Sequence, residues 1–338
     1  MYQTKIRIIY PLQQGRIVLR SEQDWDADIE ANLVSDNGEI HEFNISYNLP
    51  CLQFKPCIRD GVQLHWSVGT NKLLIFKTDG QPQDFYPHFF SDQQGEITGI
   101  FEVPSPILNR NQRLRLYLPP GYFENQLKRS PVLYMHDGTN LFFPQESFLG
   151  QEWEIDETND LLSQMNLIDQ TIIVGVYAAD RFLDYTQPGY ENYGRSLVEE
   201  LKPWIDSNLR TLSGPRHTFV MGSSLGGVVS FYLAWQWPQV FGGAGCLSST
   251  FSFRDNLIER VRGEEIDTRK QLKIYLDSGW PGDNYEATLH MAHALLQRGF
   301  TPGKEMQHLA FPLAQHTEAA WAARVHIPIQ LFSGKLHR

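Results

Sequence analysis

The chain has 338 residues, of which 41% are hydrophobic and 20% charged, and 29 Lys and Arg against 39 Asp and Glu give a formal net charge of −10. This composition is typical of a globular protein and excludes a largely disordered chain. The acidic balance, without any basic run, argues against binding to nucleic acid and disfavours strongly anionic substrates.

The amino-terminal stretch MYQTKIRIIYPLQQG does not have the positive start and long apolar core of a signal peptide. No apolar run approaches the roughly 20 residues that a membrane helix needs. The three cysteines, Cys51, Cys57 and Cys246, are too few for a disulfide framework. Cys51 and Cys57 could pair, although two reduced thiols are the simpler interpretation. We therefore expect a soluble cytoplasmic protein that has no membrane partner.

Residues 1–94 consist of short apolar runs, rich in β-branched and aromatic residues, which are separated by turn signals such as Asp-Gly and Asn-Gly. This pattern is typical of antiparallel strands. About seven short strands in a segment of this length predict a small all-β sandwich domain.

From residue 95 to residue 338, apolar strands alternate with amphipathic helices. The predicted strands cover residues 113–119, 132–137, 171–177, 217–222, 241–248, 273–279 and 308–312. Helical patterns lie between them, as in RSLVEELKPWIDSNL and YEATLHMAHALLQRG. This alternation predicts an α/β domain with a mostly parallel sheet that helices cover on both faces.

A nucleophile motif lies between a predicted strand, HTFVMG, and a predicted helix, LGGVVSFYLAWQW, where Gly222, Ser224 and Gly226 match G-x-S-x-G. This is the context of a nucleophile elbow, whose sharp turn needs neighbours almost without side chains. Chance would give on the order of 0.1 matches in a chain of this length, and the strand–helix context lowers that further. The spacing to both glycines selects Ser224 rather than Ser223, at a helix N-terminus that favours developing negative charge.

Six stretches of the second domain carry a family resemblance. They are LRLYLPPGY (114–122), PVLYMHDGTNLF (131–142), ADRFLDYT (179–186), LVEELKPWID (197–206), MGSSLGGVVSFYLAWQWPQVFGGAGCLSSTF (221–251) and QHTEAAW (315–321). With them the chain resembles the esterase family of α/β-hydrolases that includes esterase D, feruloyl and acetylxylan esterases, enterochelin esterases and mycolyltransferases. The resemblance implies the α/β-hydrolase fold over residues 95–338, a Ser-Asp-His triad and carboxylic ester chemistry, with no metal or organic cofactor.

In α/β-hydrolases the histidine follows the nucleophile and the acid along the chain. The candidates after Ser224 are His290, His293, His308, His316, His326 and His337. His316 lies in a loop after the last predicted strand, and its setting Gln-His-Thr-Glu resembles the family's histidine motif, so we expect it to be the base. His290 and His293 could form a metal pair with Glu286, but helix histidines without a ligand role are the simpler interpretation.

Two aspartates compete for the acid of the triad. Asp277 lies at the end of the predicted strand KIYLDSG, and Asp283 lies in the following loop, Trp-Pro-Gly-Asp-Asn. Asp283 matches the family's acid position better and is preferred, while Asp277 stays open as the alternative. A buried carboxylate here would fix the histidine tautomer and stabilise the imidazolium.

The oxyanion of an ester hydrolase of this type needs two backbone N–H donors. Leu225, directly after the nucleophile, is the first expected donor. Thr139, in the loop after the predicted strand VLYMHD, is the second, with Gly138 as the next choice. His136 and Asp137 lie in the same loop, and we interpret them as shaping it because their chain order is wrong for a triad.

The resemblance also implies residues that face the substrate. Trp153 lies where the family tends to place an aromatic residue of the acyl pocket, and Arg181, Asp184 and Tyr185 match a family motif. We therefore expect Trp153, Arg181, Tyr185 and Gly138 to bind substrate. An Arg–Asp pair that braces a loop is an equally good interpretation of Arg181 and Asp184.

In the first domain, residues 52–75 resemble starch-binding carbohydrate modules, in which a Trp lies five residues before an Asn after a hairpin turn. Trp66 and Asn71 have this spacing, and Trp25 could form a second platform, since aromatic faces suit sugar surfaces. The preferred interpretation is nevertheless that Trp66 is a core residue and that the sandwich shapes the pocket of the second domain.

The sequence therefore predicts a serine carboxylic ester hydrolase that forms an acyl-enzyme and acts on a sugar-linked or aryl ester, either a small molecule or a carbohydrate. A siderophore trilactone esterase is an alternative that the two-domain layout favours and the net charge disfavours. An acyltransferase to a sugar and a catalytically retired carbohydrate-binding protein are two further alternatives.

Overall fold

The structure is a computed structural model that describes residues 1–77 and 80–335. Thr78 and Asp79, in a predicted turn, and the tail that contains His337 lie outside the described residues. The chain divides into two compact units. The first contains Met1–Gly95, Pro119–Arg129 and Gln164–Asn166, and the second contains Glu96–Leu118, Ser130–Ser163 and Leu167–Arg338.

The first unit is built from strands. These are β1 (Tyr2–Ile9), β2 (Arg16–Ser21), β3 (Asp24–Glu30), β4 (Leu33–Val34), β5 (Ile40–Tyr47), β6 (Cys51–Asp60), β7 (Gln63–Trp66), β8 (Lys72–Ile75) and β9 (Gln83–Phe85). One sheet has the order β4-β5-β1-β9 and the other β3-β2-β6-β7, with β8 paired to β6. The pairings among these described strands are antiparallel except that of β1 with β9. Inward side chains of both sheets, such as Ile6 and Phe54, share one buried cluster, so the predicted sandwich is confirmed.

Strand β1 shows how the sequence produces this layer. Ile6 and Ile8 are fully buried, whereas Arg7 between them points to the opposite face and pairs with Asp84 at 2.6 Å. Successive side chains of a strand alternate between the faces of the sheet, so the apolar–polar alternation fixes which face is buried.

Two polar side chains of the segment Pro119–Arg129 form hydrogen bonds with the rest of the first unit. The Glu124 carboxylate accepts a hydrogen bond from the backbone N–H of Phe89 at 2.6 Å. The Asn125 amide, which is buried, donates to the carbonyl of Ile9 at 2.9 Å. The predicted single domain boundary after residue 94 does not include this segment, in which the chain returns to the first unit.

Trp66 is 41% exposed, and its ring centroid lies 6.4 Å from that of Trp25. The expectation that Trp66 is a core residue is therefore wrong, because its ring is not enclosed by the sandwich. The side chain of Asn71 donates to Gln53 at 3.3 Å. Sugar binding by this unit stays a prediction.

The cysteines are free thiols. Cys51 and Cys57 lie on the same strand, β6, and six positions of extended chain span about 20 Å, which is too far for a disulfide. Burial raises the pKa of Cys57 to about 12, and Cys246 is also buried, whereas Cys51 is exposed. The interpretation of two reduced thiols is confirmed.

The second unit is built on an eight-stranded sheet. Its strands are β10 (Glu96–Ser105), β11 (Arg110–Leu118), β12 (Val132–Met135), β13 (Ile172–Val176), β14 (Thr218–Ser223), β15 (Gly243–Leu247), β16 (Lys273–Trp280) and β17 (Met306–Pro312). Their order is β10-β11-β13-β12-β14-β15-β16-β17, and all pairs from β13 to β17 are parallel. The predicted mostly parallel sheet is confirmed. The sequence did not predict β10, because most of this edge strand is exposed and lacks a continuous apolar run.

Helices lie between the strands of this sheet and after the last strand. They are α1 (Ile155–Gln164), α2 (Arg181–Tyr185), α3 (Gly189–Ser196), α4 (Lys202–Asn208), α5 (Leu225–Gln236), α6 (Leu257–Gly263), α7 (Tyr285–Gln297), α8 (Glu318–Ala322) and α9 (His326–Ser333). The predicted single helix over 195–209 is divided, since Leu197–Leu201 form a π-helical turn between α3 and α4. Within the described ranges, no helix is long and apolar enough to cross a membrane.

The carboxyl ends of parallel strands meet at one edge of a sheet, where open α/β sheets hold their ligands. Strand β14 ends at Ser223, directly before Ser224, and β15 ends directly before Ser248. Strand β16 leads into the loop of Asp283, and β17 leads into the loop of His316. Residues that are far apart in the sequence are thereby collected at this edge.

Candidate active site

Ser224 occupies a sharp turn between β14 and α5, with φ 55° and ψ −121°. The left-handed φ is costly for a residue with a side chain and marks a position that the surroundings hold in place. A Cβ on Gly222 would lie 2.7 Å from the carbonyl carbon of Gly226, and a Cβ on Gly226 would lie 3.3 Å from Asp137 Oδ2. The two glycines of the motif therefore allow the turn to close.

The backbone of Ser224 is anchored at both ends. Its N–H donates to the carbonyl of Leu247 at 2.9 Å, and its carbonyl accepts from the N–H of Val228 at 3.2 Å. The side chain is half-buried rather than enclosed. The elbow thus presents the Ser224 hydroxyl at the carboxyl edge of the sheet and at the N-terminus of α5.

Asp283 and His316 form a direct pair, with 2.7 Å between Asp283 Oδ1 and His316 Nδ1. The Asp283 side chain is fully buried, whereas that of His316 is 36% exposed. Because Nδ1 is engaged by the carboxylate, Nε2 is the nitrogen left for a reacting group. Among the described residues, no hydrogen bond joins the Ser224 hydroxyl to His316 in this structure.

Backbone donors complete the surroundings of Asp283. The N–H of Gly279 donates to Oδ2 at 2.7 Å, and the N–H of Asn284 donates to Oδ1 at 2.8 Å. A Cβ on Gly279 would lie 2.0 Å from the carbonyl oxygen of Ala314 and 3.1 Å from Asp283 Oδ2. Glycine at this position therefore lets the two loops after β16 and β17 approach each other.

These contacts set the charge of Asp283. Burial alone would raise its pKa, but hydrogen bonds from His316, Ser248 and two backbone N–H groups hold the pKa well below its usual range. Asp283 is therefore ionised at neutral pH and favours a positive charge on the neighbouring imidazole.

Asp277 has a different environment. Its carboxylate accepts from Arg324 Nε at 2.9 Å and from the Tyr275 hydroxyl at 2.8 Å. Both Asp277 and Arg324 are buried. Burial raises the pKa of Asp277, and the Arg324 guanidinium acts against that rise. The structure brings Asp283, not Asp277, to His316.

Three residues of this site were not assigned a role from the sequence. Ser248, Trp321 and Arg324 are buried, and the Ser248 hydroxyl contacts the other two and Asp283. The Trp321 ring also meets the His316 ring edge to face, with centroids 5.0 Å apart. Ser248 follows a buried strand next to β14, and that position was the sequence signal that could have found it.

The two expected oxyanion donors lie in first helical turns, where backbone N–H groups have no partner within the helix. Leu225 is the first residue of α5, and Thr139 lies in a short 3₁₀ helix formed by residues 138–140. Gly138 is buried, and a Cβ on it would lie 2.7 Å from the backbone of Gly175. Gly138 thus allows close packing of this loop on β13, which leaves it little surface for a substrate.

Arg181 pairs with Asp137 at 2.8 Å and is partly exposed, while Asp184 pairs with Arg110 at 2.7 Å. Arg181 and Asp184 therefore do not pair with each other, and each braces a different part of the chain. Tyr185 is fully buried, and its hydroxyl accepts from the N–H of Asp137 at 3.2 Å. The expectation that Tyr185 binds substrate is wrong in this structure, because its side chain has no exposed surface.

Trp153 is only 3% exposed and packs on Trp321 with ring centroids 5.8 Å apart. It supports the ring that contacts His316 and does not line an open acyl pocket, which corrects the expectation from the sequence. His136 is buried with Nδ1 at 3.0 Å from the Tyr193 hydroxyl, and burial lowers its pKa to about 3. A neutral, enclosed His136 fits the interpretation that it shapes its loop.

Comparisons with known proteins identify the family and the fold of this chain. A family model described as "Putative esterase" matches residues 105–325. Uncharacterized protein YbbA of Bacillus subtilis is 28% identical over 156 residues, which are 45% of this chain and 61% of that protein. The match therefore spans about three fifths of the length of this relative.

Two solved structures show the same fold. A ferulic acid esterase has a TM-score of 0.59 at 16% identity and covers 71% of this chain and 98% of its own. The enterochelin esterase of Shigella flexneri has a TM-score of 0.55 at 13% identity and covers 97% of this chain and 92% of its own. Identities this low establish the α/β-hydrolase fold of the second unit and say nothing by themselves about substrate.

Proposed function

The chain belongs to the esterase family whose model matches residues 105–325, and from that premise we propose that it hydrolyses carboxylic esters through an acyl-enzyme on Ser224. The observation that carries the proposal is the 2.7 Å hydrogen bond between Asp283 and His316, at the same sheet edge as the strained turn of Ser224.

In the first half of the reaction, Ser224 Oγ attacks the carbonyl carbon of the ester while His316 Nε2 takes the hydroxyl proton. Asp283, held on Nδ1, stabilises the imidazolium that forms. The backbone N–H groups of Leu225 and Thr139 hold the oxyanion of the tetrahedral intermediate. When the C–O bond of the ester breaks, His316 returns the proton to the departing alcohol.

In the second half, a water molecule takes the place of the alcohol. His316 Nε2 removes a proton from the water as its oxygen attacks the acyl carbon of the Ser224 ester. Collapse of the second tetrahedral intermediate releases the carboxylic acid and returns the proton to Ser224 Oγ. The half-exposed position of His316 gives water access to this step.

For the substrate, we propose an aryl ester or a sugar-linked ester of a small molecule or carbohydrate. Large apolar side chains are exposed at or after the carboxyl ends of three strands of the sheet: Phe182 in α2, after β13, at 55%, Trp280 at the end of β16 at 52%, and Leu313 directly after β17 at 82%. Apolar and aromatic surfaces of this kind suit an aryl or sugar ring. The fold match to a ferulic acid esterase is consistent with an aryl acyl group.

A siderophore trilactone is the second candidate, and one observation favours it. The fold match to the enterochelin esterase extends over 97% of this chain, so it includes the first unit, whereas the match to the ferulic acid esterase covers 71%. The net charge of −10 disfavours an anionic ferric siderophore as the ligand. A cytoplasmic location stays a prediction, with which the free thiols are compatible.

The test of the proposed chemistry is hydrolysis of p-nitrophenyl acetate and butyrate, with fluorophosphonate labelling of the same samples. We expect the wild type to turn over and to be labelled on Ser224, and Ser224→Ala to do neither. Ser223→Ala is the matched control, since Ser223 is buried at the end of β14. A wild type that neither turns over nor labels would contradict the proposal and favour a binding protein.

The substrate classes are then separated by kcat/KM on methyl ferulate, on acetylated xylose oligomers and on enterobactin. We expect the aryl or sugar esters to exceed the trilactone. The reverse order would select the second candidate without affecting the proposed chemistry.

A further inference from the structure

Ser248 lies at the carboxyl end of β15 with φ 44° and is completely buried. Its hydroxyl oxygen lies 2.6 Å from Asp283 Oδ2, 2.7 Å from Arg324 Nη2 and 2.9 Å from Trp321 Nε1. A hydroxyl has one proton to donate and two lone pairs to accept with, so these three contacts use its full capacity.

The partners fix the direction of each hydrogen bond. A guanidinium N–H and an indole N–H can only donate, so Arg324 and Trp321 occupy the two lone pairs of Ser248. The hydroxyl proton is left for the Asp283 carboxylate, which can only accept when ionised. Because two donors polarise the hydroxyl that bonds Asp283, the bond is strengthened in this buried, low-dielectric network.

The backbone around Ser248 also connects the nucleophile to the acid. The carbonyl of Leu247 accepts from Ser224 N–H at 2.9 Å, and the carbonyl of Ser248 accepts from Asn284 Nδ2 at 2.7 Å. The N–H of Ser248 donates to the carbonyl of Asp277 at 2.8 Å. Two consecutive residues therefore contact the elbow, the acid loop and strand β16.

Arg324 lies between two carboxylates. Its Nε is 2.9 Å from Asp277, while its Nη2 is 3.9 Å from Asp283, beyond direct hydrogen-bond range. The Ser248 hydroxyl bridges the 3.9 Å between Arg324 Nη2 and Asp283, since it accepts a hydrogen bond from Nη2 and donates one to Asp283. The Arg324 guanidinium is therefore hydrogen-bonded to Asp283 only through the Ser248 hydroxyl, and its direct contact with Asp283 is a long ion pair at 3.9 Å.

We propose that Ser248 is a positioning residue for the acid of the reaction: it orients the Asp283 carboxylate toward His316 Nδ1 and passes to it the polarisation of Arg324 and Trp321. This inference rests on the proposed function. Ser248 touches neither substrate nor the reacting atoms and acts through Asp283.

The first variant is Ser248→Gly, which removes the hydroxyl and accepts a φ of 44° without strain. We expect kcat on p-nitrophenyl butyrate to fall about 10- to 100-fold, the effect of one hydrogen bond to a charged group, while KM stays the same. Ser249→Ala is the matched control. Ser249 is the next residue and equally buried, and its hydroxyl finds no hydrogen-bond partner among the described residues. We expect wild-type kcat from it.

The second experiment separates positioning from a general structural role. In an Asp283→Asn background, Ser248→Gly has no further effect on kcat if Ser248 acts through Asp283, and the same loss as in wild type if it does not. The far-downfield proton NMR signal of the Asp283–His316 hydrogen bond should shift in Ser248→Gly and stay in place in Ser249→Ala. If the glycine variant does not fold, Ser248→Cys keeps a weak donor, and a smaller loss with the same signal shift is expected.

Two outcomes would overturn the inference: unchanged kcat in both Ser248 variants, or equal losses in the two backgrounds. Failure of the proposed function looks different. It would appear as an Asp283→Asn variant with full activity, whatever Ser248→Gly does.

Discussion

Asp277 and Asp283 lie six positions apart, within strand β16 and in the loop after it, and both side chains are fully buried. Asp277 meets a buried cation, Arg324, and the hydroxyl of Tyr275. Asp283 accepts hydrogen bonds from neutral donors and from the exposed ring of His316, and the Arg324 guanidinium lies 3.9 Å from it, beyond hydrogen-bond range. A carboxylate whose partner is a fixed, enclosed charge suits a structural role. A carboxylate whose partner is an exposed imidazole, which can gain and lose a proton, suits a catalytic role.

The largest expected effect comes from removing the charge at Asp283. We expect Asp283→Asn to lower kcat/KM on p-nitrophenyl butyrate about 10³- to 10⁴-fold, because the amide cannot hold His316 in the required tautomer. Asp277→Asn is the comparison, and we expect it to lose stability while retaining much more activity per folded molecule. Activity is measured on protein whose folded fraction is known from circular dichroism. A larger activity loss in Asp277→Asn would reverse the assignment of the two carboxylates.

The next largest expected effect tests whether the ion pair of Asp277 with Arg324 stabilises the fold. We expect Arg324→Met to lower the free energy of unfolding by about 3 to 5 kcal/mol, because it leaves Asp277 buried without its cation. Urea denaturation measures the change. The double variant Arg324→Met/Asp277→Asn should recover part of the lost free energy of unfolding, because the unpaired negative charge is then removed.

An exposed ion pair gives the control for that experiment. Arg195 and Glu199 are paired at 3.0 Å, and both side chains are 50% exposed. We expect no measurable change in stability from Arg195→Met, because solvent screens such a pair. If Arg324→Met and Arg195→Met changed the free energy of unfolding equally, burial would not make the Asp277–Arg324 pair more important for stability than an exposed pair.

The smallest measurable effect that we expect is the dependence of the free energy of unfolding on pH. The pKa of Asp283 is lower in the folded than in the unfolded chain, so its contribution is present above the unfolded value of about 4 and is lost as pH falls through the folded value. The difference in unfolding free energy between wild type and Asp283→Asn should therefore narrow as pH falls from 5 to 2. A difference that stays constant over this range would mean that the folded protein does not favour ionised Asp283.

Local features of the fold and site were predictable from the sequence. The turn at Ser224 needs two glycines at fixed spacing between a strand and a helix, and all of that information lies within a few residues. The strands β12 to β16 were recognised because buried parallel strands are nearly continuously apolar. Strand β10 was missed because an edge strand does not need such a run.

Side-chain partners were harder to predict, because they depend on packing between distant segments. Ser248 and Arg324 are separated by 76 residues, and no pattern in either stretch reveals that they meet. The aromatic residues Trp153 and Tyr185 were expected at the substrate, yet both are enclosed. The family resemblance implied that these aromatic residues lie near the site, but it did not indicate that their side chains are buried.

The contrast between the cysteines has a practical consequence. All three lie within the described residues, and only Cys51 is exposed, while the thiols of Cys57 and Cys246 are enclosed and their pKa values are raised. A maleimide dye or a surface linker would therefore attach at one defined point on β6 of the first unit. The wild-type chain can thus be immobilised or followed by fluorescence without engineering a handle into the unit that carries Ser224.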